Sequence, residues 1–134
     1  MVKIIIAGGR DFNDFNMLEK CVLEITEPLK DFEIVSGMAK GADSLGVKFA
    51  QKYNKKVHKF PAKWDDLDVP GAVIRRNKWG QEYNCIAGHQ RNDEMRKISK
   101  ILIAFWDGKS RGTLDMIKKA KKHGLITRVI AYEN

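Results

Sequence analysis

Apolar positions along the chain fall into two alternating patterns, short β-branched runs and stripes with a period of three to four. Lys3 to Ala7 is a run of isoleucines closing on Gly8-Gly9, which predicts a buried strand and a tight turn. Phe15, Leu18, Val22, Ile25 and Leu29 then mark one face of a helix, with Asn13 or Asp14 placed to cap it and Pro28 near its end. Glu33 to Ser36 predicts a second strand, again followed by glycine, and Ala42, Leu45, Gly46, Phe49, Ala50 and Tyr53 form a second helical stripe. Lys56 to Phe60 predicts a third strand closed by Pro61. The rhythm fails over residues 61–85, an irregular insert with no clear period. It returns with a helix over 86–98, a strand over Ile101 to Phe105, a helix from Leu114 to His123 stopped by Gly124, and a closing strand from Ile126 to Tyr132.

Strands alternating with helices predict an α/β protein: a single three-layer domain over 1–134 with a mostly parallel five-stranded sheet covered on both faces. Composition agrees, with 43% hydrophobic and 31% charged residues in 134. No apolar run approaches the roughly 20 residues of a membrane helix. The opening MVKIIIAGG reaches glycine too early for a signal peptide, so a cytoplasmic location and no membrane partner are expected. Cys21 and Cys85 make no framework, and Cys85 four residues before His89 lacks a second ligand pair, so no metal site is predicted. The net charge of +8 favours anionic partners, although Lys118, Lys119, Lys121, Lys122 and His123 concentrate much of it on one helix, where cations also suit the C-terminus.

In open α/β sheets ligands sit beyond the carboxyl ends of the strands, and three of those ends are glycine-rich. Ala7 to Phe12 (AGGRDF) offers Gly8 and Gly9 for a sharp turn and Arg10 as a planar donor fork for phosphate. Ser36 to Gly46 (SGMAKGADSLG) places Gly37 and Gly41 before a helix N-terminus, with Asp43 as cap or ribose ligand. Asp107 to Thr113 (DGKSRGT) places Gly108, Ser110, Gly112 and Thr113 before another. The GKS within it is not a P-loop, because the glycine required five positions before Gly108 is Ile103, and no loop reads G-x-G-x-x-G. These residues are predicted to bind phosphate and sugar through backbone and hydroxyl donors.

These motifs occur together, in order, as GGRDF, SGMAKGAD, FPAKW (Phe60 to Trp64), AGHQRNDEM (Ala87 to Met95) and AFWDGKSRGT (Ala104 to Thr113). In that combination the chain resembles the SLOG superfamily, a Rossmann-like group that includes LOG-type phosphoribohydrolases and Smf/DprA DNA-processing proteins, and within it the small YspA-like, YpsA-related branch. The resemblance implies a Rossmann-like fold with a nucleotide-derived ligand at the loops, a bacterial or phage-infected cell as source, and a homo-oligomer. It also implies a role for Arg91, which stands where LOG enzymes carry an arginine in an R-K-x-x-M-like helix, with Asn92 beside it orienting sugar or loops. The glutamate of the LOG glycine loop is replaced by Met116, which leaves Asp11, Asp43 or the neighbouring Asp115 to take its place. Arg91 and Asp115 are the candidate catalytic residues.

Three functions follow as expectations. The first is binding of a nucleotide-derived ligand by a sensor, carrier or sequestering protein, needing no cofactor beyond Mg²⁺ travelling with a polyphosphate. The second is hydrolysis of the N-glycosidic bond of a nucleoside monophosphate, which needs a carboxylate near the sugar. The third is binding of single-stranded nucleic acid, for which Trp64, Trp79 and Trp106 would supply stacking surfaces. In the first two, Trp64 and Trp79 belong to a base-side lid formed by the insert.

Overall fold

The computed structural model describes residues 1–133. Its elements in chain order are β1 (Val2–Gly8), α1 (Phe15–Thr26), β2 (Phe32–Ser36), α2 (Ala42–Lys52), β3 (Val57–Lys59), β4 (Ile74–Arg76), β5 (Glu82–Asn84), α3 (Ala87–Ile98), β6 (Ile101–Trp106), α4 (Arg111–Lys122) and β7 (Ile126–Ala131). Five strands form one sheet in the order β3-β2-β1-β6-β7, every pair parallel. The chain therefore builds outward from β1 through β2 to β3, then returns to build outward again through β6 and β7. The order reverses between β1 and β6, where the first turns of helices on opposite faces diverge and leave a crevice.

The isoleucine run explains why β1 lies at the centre. Ile4, Ile5 and Ile6 are all fully buried, which only a strand covered on both faces can achieve. Ile4 and Ile6 pack with Leu18 and Val22 of α1 and Phe49 of α2. Ile5 and Ala7 pack with Met95 of α3 and Met116, Ile117 and Ala120 of α4. The period-two alternation of a strand thus separates two cores and makes three layers.

Three expectations change in detail. The insert is not wholly irregular: β4 and β5 pair antiparallel as a separate two-stranded hairpin. Asn84, fully buried, anchors it. Its Oδ1 accepts from the N–H groups of Val73 and Ile86 at 3.2 and 3.3 Å, and its Nδ2 donates to Gln90 at 2.7 Å. The fourth long helix begins at Arg111 rather than Leu114, because the Ser110 side chain accepts from the Thr113 N–H and starts the turn early. The third strand shortens to Val57–Lys59. At the first helix the cap is Asp14, whose carboxylate accepts from the Met17 N–H at 3.0 Å.

Candidate functional site

A cleft of about 510 Å³ opens where the strand order reverses. Its floor is the end of β1 and its walls are the starts of α3 and α4 and the loop before α2. Gly8, Gly9, Arg10, Asp43, Trp64, Arg91, Asn92, Ser110, Gly112 and Thr113 line it, so ten of the residues predicted from the sequence meet in one place. A smaller adjoining lobe of about 330 Å³ shares Arg10, Trp64 and Arg91 and is bounded by Gly37 and Lys40.

The loop before α2 is held against the loop after β1. The Gly9 carbonyl accepts from the N–H groups of Phe12 and Ala42, both at 3.2 Å. Gly41 makes that approach feasible, since at φ +77° it adopts a conformation that side chains disfavour, and a Cβ there would overlap the Gly9 carbonyl. This arrangement corrects the expectation of an open anion cradle at α2. The Ala42 N–H is already engaged, and Asp43 places its own carboxylate at the helix start, where it accepts from the Ala39 N–H at 3.2 Å. Burial pushes the Asp43 carboxyl above its ordinary range, against the pull of that N–H and of the Arg91 and Arg10 charges. Ser36 is fully buried and does not reach the cleft. Its hydroxyl accepts from the Met38 N–H at 3.1 Å and so shapes the loop.

Arg91 has a structural task as well as its place in the cleft. Its Nη1 donates to the Gly37 carbonyl at 2.6 Å and at the limit of range, 3.5 Å, to that of Phe60, while its Nε donates to Asn92 at 3.1 Å. It thereby joins α3 to the ends of β2 and β3. Burial lowers its guanidinium from the ordinary value, with Asp43 opposing the shift. Arg10 is exposed and forms no hydrogen bond among the described residues. Its charge is available to a ligand.

The loop after β6 is closed on itself. Asp107 accepts from the N–H groups of Lys109 and Ser110 at 2.8 and 2.9 Å, and these bonds hold its carboxyl below the ordinary range. Gly108, at φ +83°, lies in this turn and not on the cleft wall. Gly112 and Thr113 belong to the first turn of α4, which leaves the Arg111 and Gly112 N–H groups at the helix entrance.

Asp115 sits one step behind the wall. His89 Nδ1 lies 2.9 Å from Asp115 Oδ1, Lys119 donates to both carboxylate oxygens at 2.6 and 2.7 Å, and Asn92 donates to Oδ2 at 3.1 Å. Burial raises the Asp115 carboxyl, but the three donors outweigh it and hold it below the ordinary value. Asp115 therefore does not face the cleft as a direct catalytic carboxylate would, while His89 does. Met116, at the position of the LOG glutamate, presents a buried thioether to the cleft. Trp64 covers the start of α3, but Trp79 is 74% exposed at the far end of the hairpin, so the second half of the expected lid lies away from the site.

Sequence reasoning did not assign Asp107, Cys85 or Met95 to the cleft wall. For Asp107 a signal existed: an aspartate two residues before a donor, in Asp-Gly-x-Ser, is an Asx-turn pattern. Asn84 carried none. A wider groove of about 740 Å³ runs beside Asp11, Asp14 and Glu133, and its carboxylates make it a poor place for phosphate. Among the described residues no helix is long and apolar enough to cross a membrane, and no cluster of His, Cys, Asp and Glu could hold a metal ion.

The family model described as YspA, cpYpsA-related SLOG family matches residues 2–66. A search of curated proteins gives no significant match. Among solved structures, DNA processing protein A (DprA) from Streptococcus pneumoniae is 19% identical with a TM-score of 0.71, over 96% of this chain and 50% of that one. DNA processing protein A from Helicobacter pylori, a structure described for its single-stranded DNA binding mode, is 18% identical with a TM-score of 0.65, over 96% of this chain and 64% of that one. The chain spans between half and two thirds of these proteins, and the likeness is one of fold. The matched segment forms β1 to β3 and the first two loops of the cleft, so over that part the chain is similar to the YspA, cpYpsA-related SLOG family, and over the sheet as a whole it is similar in fold to DprA.

Proposed function

We propose that the cleft between β1 and β6 binds a nucleotide or nucleotide-derived ligand. The observation that carries this reading is the meeting of donors and acceptors around one cavity: Arg10 and Arg91 beside Asp11, Asp43 and Asp107. A bare anion would be repelled by three carboxylates. A sugar phosphate is matched by both sets, since guanidinium forks suit phosphate and carboxylates accept from ribose hydroxyls. In this arrangement Arg10, the unused Nη2 of Arg91 and the Gly112 N–H hold phosphate, and Trp64 offers its ring to the base. The protein then acts as sensor, carrier or sequestering module, and Mg²⁺ enters only as the counter-ion of a polyphosphate. N-glycoside hydrolysis of the LOG type is the less favoured reading, because Met116 stands at the position of the LOG glutamate and Asp115 is turned to Lys119.

The test is a thermal-shift panel of nucleoside mono-, di- and triphosphates and ADP-ribose. A ligand supplied at about 100 times its dissociation constant adds roughly 2.7 kcal/mol, and Arg10→Ala is expected to abolish that gain while leaving the unliganded protein unchanged. No stabilisation by any member of the panel would refute the reading.

A second reading has its own observation. The hairpin exposes Trp79 with Lys78 4.6 Å from its ring, beside exposed Arg75 and Arg76, and basic-aromatic surfaces bind single-stranded nucleic acid. The description of the H. pylori neighbour and the net charge of +8 point the same way. Salt-sensitive binding of a short single-stranded DNA, lost in Trp79→Ala and retained in Arg10→Ala, would favour it.

A further inference from the structure

His89 and Asp115 form a dyad at the cleft wall. The imidazole is half-exposed and lines the cavity, with its Nδ1 2.9 Å from the Asp115 carboxylate. A carboxylate can only accept, so Nδ1 carries the proton and Nε2 keeps its lone pair for the cavity. Asp115 is itself fixed by Asn92 and by both contacts from Lys119, so the ring has a rigid support. We propose that His89 is a general base that activates water against a phosphoanhydride bound in the cleft, with Asp115 as its positioning residue; this rests on the nucleotide-pocket reading above.

The geometry points to an anhydride for two reasons. Arg10 and Arg91 on one cavity match two adjacent phosphates. A base alone also suffices for such a bond, because the leaving phosphate is stable as an anion, whereas an alkoxide leaving group needs an acid. In the step, Nε2 takes a proton from water and the water oxygen bonds to phosphorus. The bond from phosphorus to the bridging oxygen breaks, and its electron pair leaves with that oxygen as phosphate. The imidazolium then gives its proton to solvent. One water is consumed and two phosphorylated products form. The charged groups around the ring are Asp115, which it contacts, with Lys119 paired to that carboxylate, and Arg10, Asp11, Asp43, Arg91 and Asp107 on the lining of the same cavity.

The experiment uses the full chain with ADP, ATP and ADP-ribose as probes, following phosphate and nucleoside monophosphate release across pH, with binding measured in parallel. Wild type is expected to cleave at least one probe, with a kcat that falls on acidification. His89→Gln should lose about 100-fold or more in kcat with its dissociation constant kept within about twofold. Asp115→Asn should lower kcat less and shift the pH profile. Binding without cleavage by wild type overturns the dyad's role and leaves the pocket standing. Equal cleavage by His89→Gln also overturns it. Absence of binding to every probe removes the pocket reading and this inference together.

Discussion

Arg91 and Arg10 line the same cleft, yet the structure predicts opposite consequences for their removal. Arg91→Ala removes charge-assisted hydrogen bonds to the Gly37 carbonyl (2.6 Å) and Asn92 (3.1 Å). At roughly 1.5 kcal/mol each, with cleft water replacing part of the loss, the net destabilisation is about 2 kcal/mol. For a chain of 134 residues that is a fall in Tm of roughly 6–10 °C. Arg10→Ala, at an exposed side chain without a hydrogen bond, should lie within about 0.5 kcal/mol of wild type. The Arg91 effect also carries a pH signature. Burial already raises the Asp43 carboxyl, and Arg91 restrains that rise. Without Arg91 the folded pKa of Asp43 climbs further. A raised carboxyl contributes stability that is present below its unfolded value, 3.8, and is lost as pH rises through the folded value. The deficit of Arg91→Ala should therefore be largest near neutral pH and shrink on acidification towards pH 4. Urea denaturation at both pH values measures it, with Asp43→Asn/Arg91→Ala closing a double-mutant cycle. A deficit that is the same at both pH values, or an Arg10→Ala protein as destabilised as Arg91→Ala, would refute the assignment.

Gly41→Ala should cost about 3 kcal/mol or more, since it combines a disfavoured φ with overlap on the Gly9 carbonyl, whereas Gly108→Ala, at φ +83° in open space, should cost only about 1 kcal/mol by chemical denaturation. Met116→Ala removes a buried side chain from the core between the sheet and α4, and a loss of about 2–4 kcal/mol is expected in the same assay. Asp115→Asn should cost about 1 kcal/mol near neutral pH. Because its donors hold the folded carboxyl below 3.8, that difference should be present above this value and vanish as pH falls through the lower folded one, as read from Tm against pH.

The layered sheet was legible because its signals are local and repeated. An isoleucine run that is apolar on both faces has few places to go except the centre of a covered sheet, and the stripes of α1 and α2 name the faces that meet it. The insert was not legible, because its order depends on Asn84, whose bonds reach residues 73, 86 and 90 and leave no periodic trace. Helix starts shifted for a similar reason. Ser110 caps by a side-chain bond, while the apolar stripe that predicts the helix begins only at Leu114.

For the site, motifs located the residues but could not say what each donor already holds. Ser36, Arg91 and Asp107 all stand in glycine-rich or motif segments, and all three have bonds to the backbone of their own loops or of neighbouring ones. A motif of this kind therefore encodes the shape of the cleft as much as its ligand contacts. The cavity-facing side chains with the most left to offer a ligand, Arg10 and His89, occupy the least regular positions in the pattern, just after β1 and in the first turn of α3. Fold signals repeat because many side chains share one face. A ligand contact is a single side chain that the fold does not use, and only the hydrogen bonds of its neighbours reveal it.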